Sequence, residues 1–239
     1  MSQVTHENSA LSRTSFWREL NATRFIVATL GVLFALAGID HGFFETLQGY
    51  TPTHGVIIQA IGVHNRMWAY GTEDALTLIP NFLLSGITSI AISLLIAVWS
   101  VRFVHKKHGS TIFLLLFILL FLSGGGVAQI LYFTLAWAVS TRIGKPLTWL
   151  RTFLTQPVRG VLGAPWLWLL GGFMLPSLMA LEIAIFGYVP GVSDPKQALY
   201  TCWSLLAIGL VFLLLAIVSG FIHDADRRFG TGGSVTALF

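Results

Sequence analysis

The sequence predicts an all-α, polytopic helical membrane protein with about six membrane helices, a short Gly-rich hairpin among them, flanked by interfacial amphipathic helices. Three observations carry that class. Of 239 residues 55% are hydrophobic and 10% charged, with a mean hydropathy of +0.77, far from the balance of a water-soluble domain. Apolar stretches occupy 25–47, 77–104, 110–140, 161–189 and 199–222, each at or above the ~20 residues that a spanning helix needs. The cations, finally, sort by side. If stretch 110–140 turns back on itself at Gly124, Gly125 and Gly126, twelve of the fourteen Lys and Arg fall on one face of the bilayer and only Arg66 and Lys196 on the other; read as a single crossing, the split is seven to seven. A strong Lys/Arg bias is the usual orientation signal, so the hairpin is the expected topology, with both termini on the basic, cytoplasmic side of a cell membrane.

Residues 1–24 mix Leu11, Phe16, Trp17 and Leu20 with Arg13, Arg18 and Arg24, which suits an inner interfacial arm. Residues 25–239 then form a single helical membrane domain. Its first helix is read as a retained anchor, although Ala35, Leu36 and Ala37 would suit a leader cleavage site. It turns polar at its far end, where Asp40, His41, Glu45 and Gln48 follow one another. The outer connection, 49–76, holds Arg66 against Glu73 and Asp74, and its 56–63 stretch is apolar enough to dip into the outer leaflet. Pro80 suits the first turn of the second helix, and Ser110 or Thr111 is the expected cap of the third.

The short helix hairpin, 110–141, has limbs of 14 and 15 residues on either side of the glycines, or about 21 to 23 Å each. That is short of ~30 Å of hydrocarbon, so a re-entrant dip, local thinning or borrowed flanking residues are expected. In 142–160, Arg142, Lys145, Arg151 and Arg159 accompany Leu147, Leu150, Phe153 and Leu154, the pattern of an inner interfacial helix on anionic lipid headgroups. Ser193, Asp194 and Pro195 suit the start of the last helix. His223, Asp224 and Asp226 at its exit read as solvated. No repeat suggests an inverted-repeat transporter. The single cysteine, Cys202, excludes an intrachain disulfide and a thiolate cluster. The flanking placement of the cations argues against nucleic acid as a partner.

The chemistry-bearing residues are few. His41 and Glu45 are spaced i, i+4, with Gln48 three further on, which sets all three in one stripe of the first helix. An imidazole and a carboxylate one turn apart can begin a metal site, with His54, His64, Glu73 or Asp74 completing it. Glu182 is an acid well inside an apolar stretch, costly there unless it serves a path or finds a partner, and His41 is the partner expected. The freed backbone at the glycine triplet could hold an ion. Haem is disfavoured, because the helix interiors carry no histidine pair at matched depth; the sequence names no other cofactor.

The strings His41-Gly42, Glu45 to Gly49, the run Glu73 to Asn81 with its Leu78-Ile79-Pro80-Asn81 end, and Pro146 to Arg151 resemble an uncharacterised small polytopic integral membrane protein family of prokaryotes. The resemblance implies a prokaryotic cell membrane and brings no activity with it. The functional expectation is therefore an ion or small polar ligand bound by His41, Glu45, Gln48 and Glu182, with Glu73 contributing, for transport or sensing. Two alternatives stand beside it. One is an accessory or assembly subunit of a larger membrane complex, with membrane protein partners or a homo-oligomer. The other is a metal-dependent redox or hydrolytic enzyme in which His41 and Glu45 are ligands.

Overall fold

The computed structural model describes residues 21–145, 147 and 149–230, without the side chains of 151 and 228–230; the arm at 1–20, Pro146 and the last nine residues lie outside that set. The fold is all-α and polytopic. In chain order it comprises α1 (Ala22–Thr46), β1 (Ile57–Gln59), β2 (Asp74–Thr77), α2 (Phe82–Arg102), α3 (Gly109–Phe121), β3 (Ser123–Gly126), α4 (Ile130–Ser140), α5 (Trp149–Phe153), α6 (Gln156–Gly163), α7 (Trp166–Phe186) and α8 (Pro195–Gly230). Short 3-10 turns at Val63–Asn65 and Val127–Gln129 interrupt the two connections to β2 and α4. Four segments, α1, α2, α6 with α7, and α8, are long and apolar enough to cross a bilayer.

The burial pattern is that of a chain solvated by lipid. On α2, Ser85, Ser89, Ser93 and Ser100 are fully buried while Leu94, Leu95 and Val98 are exposed, the reverse of what water selects. Small residues let α1 and α2 approach closely. A Cβ on Gly42 would stand 2.6 Å from the Gly86 carbonyl oxygen, and one on Gly86 would stand 2.7 Å from Thr46 Cγ2, so the two backbones touch where any side chain would part them, as small residues permit between membrane helices. The core beside them is aromatic. Phe117 of α3 stacks on Phe133 of α4 at 4.0 Å, and Phe34 of α1 meets Phe133 edge-on at 5.0 Å.

One end of the bundle is basic. The carboxylate of Asp224 on α8 accepts from the Ala22 and Thr23 amides (2.8 and 2.9 Å), which fastens the start of α1 to α8. Arg24 donates to the Val101 carbonyl at the end of α2 (3.2 Å), and Trp99 Nε1 donates to the Gly109 carbonyl at the start of α3 (2.9 Å). Arg142 and Lys145, past the end of α4, line the same small crevice as Thr23 and Asp224. The opposite end carries a three-stranded antiparallel sheet in the order β1-β2-β3, with Ala75 paired to Gly126 and Leu76 to Gly125. Stretch 110–140 therefore leaves the basic end as α3, reaches the sheet, and returns as α4; the glycine triplet is its turning point.

Several local expectations change. Asn81, not Pro80, starts α2, its side chain accepting from the Leu84 amide (3.2 Å). α3 starts at Gly109 behind His108, whose φ of 60° breaks the chain direction without a side-chain cap; Ser110 and Thr111 lie inside the helix. Part of the outer connection is a β1-β2 hairpin. Segment 142–160 divides into α5 and α6, and Arg159 is turned inward, 7% exposed, with its Nε 3.1 Å from Asp226 Oδ1. Asp224 and Asp226 thus hold helix ends together: backbone amides take the buried Asp224, and the Arg159 guanidinium pairs with Asp226, which keeps 41% of its side chain exposed. Asp194 serves as expected, its Oδ1 accepting from the Lys196 amide (2.9 Å).

Candidate functional site

The site lies where α1, α2 and the sheet meet. Hydrogen bonding to β2 draws Ser123–Gly126 into an extended, fully buried strand set against the polar end of α1. Gly124 has φ +118°, a conformation that side chains other than glycine's rarely adopt. A Cβ there would collide with both carboxylate oxygens of Glu45 and would stand 2.7 Å from Ser89 Oγ. A Cβ on Gly126 would stand 2.7 Å from Glu73 Oε1 and 3.0 Å from His41 Nε2. The glycines therefore make room for two acidic side chains at the turn, and the triplet is part of the site's wall.

His41 is 4% exposed and Glu45 not exposed at all. His41 Nε2 lies 2.9 Å from Glu73 Oε2, and Glu73 keeps 40% of its side chain exposed. An ionised carboxylate only accepts, so Nε2 carries the shared proton. Nδ1 is buried with no hydrogen-bond partner, and so are Oε1 and Oε2 of Glu45. Burial acts to raise the Glu73 pKa, but the charge and the hydrogen bond of His41 override it and hold the carboxyl below its ordinary value of 4.5.

Sequence reasoning missed the neighbours that frame Glu45. Ser89 donates to the Ser123 carbonyl, and the Ser85 hydroxyl bridges that carbonyl (3.0 Å) and Thr77 Oγ1 (2.9 Å). Gln129, in the turn after the triplet, is 7% exposed with Oε1 unpartnered. The serine spacing at 85 and 89, one turn apart on an apolar helix, was the available signal.

The predicted residues do not all converge. Gln48 holds the sheet in place, its Nε2 donating to the carbonyls of Gln59 (3.1 Å) and Ala60 (3.0 Å). Glu182 is exposed on α7 and, among the described residues, makes no hydrogen bond or ion pair with His41, whose partner is Glu73. His54 and His64 are exposed on the connection. Among the described residues no three His, Cys, Asp or Glu side chains form a group able to hold a metal ion.

No family model matches the chain, and no curated protein or solved structure is significantly similar to it. The chain is an integral membrane protein by its own helices, and the rest of its function is argued from the site.

Proposed function

We propose that this protein takes up a proton or a small monovalent cation at Glu45, from the sheet end of the bundle, in the service of transport or sensing. The observation that carries the reading is the Glu45 carboxylate, wholly buried with both oxygens unpartnered. A bare carboxylate so placed costs several kcal/mol; a proton, or a cation shared with the Ser85 and Ser89 hydroxyls, removes that cost. Half-exposed Glu73 and buried His41, joined at 2.9 Å, supply the entry. In the relay, a proton on Glu73 moves to Nε2 of a ring protonated at Nδ1, giving the imidazolium, and the Nδ1 proton, one helical turn from Glu45, passes to that carboxylate and leaves the neutral ring protonated at Nε2. In this reading 110–141 is a re-entrant hairpin entering from the cytoplasmic, basic side of a cell membrane, and anionic headgroups flank that side.

The test uses the purified full-length chain in detergent. Proton uptake after a pH jump, and thermal shift on adding sodium, potassium or lithium, are compared between the wild type, Glu45→Gln and Glu182→Gln. Loss of the response in Glu45→Gln alone supports the site. An unaltered response in Glu45→Gln, or an equal loss in Glu182→Gln, overturns it.

A further inference from the structure

A groove of about 500 Å³ runs along α1 at the basic end, on the opposite half of the bundle from Glu45. Ala28, Val32 and Leu36 of α1, Val101 of α2, and Met174 and Leu178 of α7 line it, and Arg24 stands at its mouth. From Arg24 to Leu36 the groove follows twelve residues of helix, about 18 Å, close to the ~15 Å of hydrocarbon in one leaflet. Its volume lies within the ordinary range for small-molecule sites.

The mouth is as cationic as the walls are apolar. Arg24 gives one of its five donors to the Val101 carbonyl (3.2 Å) and, among the described residues, its side chain has no other hydrogen-bond partner. Arg102 follows Val101 on the same helix end. His105 in the next turn is held below its ordinary pKa, by burial first and then by the charges of Arg24 and Lys106, which places all three within one another's electrostatic reach.

We infer that this groove seats one anionic phospholipid from the leaflet on the basic side, with an acyl chain between α1 and α7 and the phosphate against Arg24. A guanidinium fork matches phosphate geometry, and an apolar slot one leaflet deep matches the chain attached to it. Neither feature alone selects an occupant; together they describe an amphiphile whose charge and tail are joined at the headgroup level. The site is independent of Glu45 and stands or falls without it.

Native mass spectrometry of the full-length chain, released from mixed micelles containing equal dioleoylphosphatidylglycerol and dioleoylphosphatidylcholine, tests the assignment. The expected result is one phosphatidylglycerol retained per chain, preferred about fivefold over phosphatidylcholine, the worth of roughly one cation near an anionic headgroup. Ala28→Trp fills the slot and abolishes retention of both lipids. Val32→Trp does the same from the next turn and serves if Ala28→Trp fails to fold. Arg24→Gln brings the two lipids to parity while one lipid is still retained. Absence of a stoichiometric lipid, wild-type retention in a folded tryptophan variant, or undiminished preference in Arg24→Gln overturns the proposal. Occupation of the groove by the residues preceding Asn21 would appear as the first of these outcomes.

Discussion

At the scale of single residues, Glu45 and Gly124 form one unit, and their substitutions are coupled. Gly124→Ala meets two penalties: a backbone at φ +118° and a methyl group driven into the Glu45 carboxylate. A loss of about 2 kcal/mol or more is expected. In Gly124→Ala/Glu45→Ala the steric part disappears, so the double variant melts above Gly124→Ala, read by thermal unfolding in detergent; strictly additive effects would refute the contact. Glu45→Gln removes a desolvated charge and is expected to melt no lower than the wild type. Glu73 sets the acid limb. Because His41 depresses its pKa, the pair's stabilisation is fully present above 4.5 and is lost as pH falls through the lower folded value. With Glu73 40% exposed, that contribution is under about 1 kcal/mol. Glu73→Gln should flatten the melting temperature against pH over that acid window and lower it slightly near neutrality, where the wild-type pair is intact. His41, Glu45 and the glycines were legible in the sequence, because ionisable groups and consecutive glycines are rare in apolar helices. The partner of His41 was not legible, because depth in a sequence does not say which way a side chain such as Glu182 faces.

At the scale of elements, the structure turns on how short pieces are terminated. The α3-β3-α4 segment spends four residues in an extended strand, where unpaired backbone inside a membrane is costly, and β2 pairs with three of them, Ser123, Gly125 and Gly126. That pairing could not be read locally. β2 contains Asp74 and Thr77, is only four residues long, and is held between β1 on one side and the glycine strand on the other. The long helices were legible for the opposite reason: their signal is continuous hydropathy over about twenty residues and needs no partner. The exits were partly legible. Asp224 looked solvated because sequence shows a polar residue at a helix end but not the amides of Ala22 and Thr23 waiting there. Asp224→Ala strips an acceptor from two buried amides and is expected to cost about 1–3 kcal/mol, with faster hydrogen exchange at the first turn of α1 as the diagnostic. Asp224→Asn keeps one acceptor and should fall between; identical exchange in all three chains would show that the amides do not depend on α8.

For the whole molecule, charge and contacts agree on one arrangement by independent routes. The Lys/Arg count chose a reversal at the glycine triplet before any contact was known, and the contacts place the hairpin's two feet, Gly109 and Arg142, at the end of the bundle that holds Arg24 and Asp224. The feet can share an end only if the intervening residues go out and back. The limbs are short for a crossing: α3 has 13 residues and α4 has 11, about 20 and 17 Å. Accessibility labelling tests the arrangement directly. Cys202, 8% exposed, is first replaced by alanine, and single cysteines are then placed at His64, Lys106 and Arg142. In oriented membrane vesicles, a reagent unable to cross the bilayer should label His64→Cys from one side, and both Lys106→Cys and Arg142→Cys from the other. Labelling of Lys106→Cys and Arg142→Cys from opposite sides would mean that 110–140 crosses once, and would take with it the turn on which the Glu45 site is built.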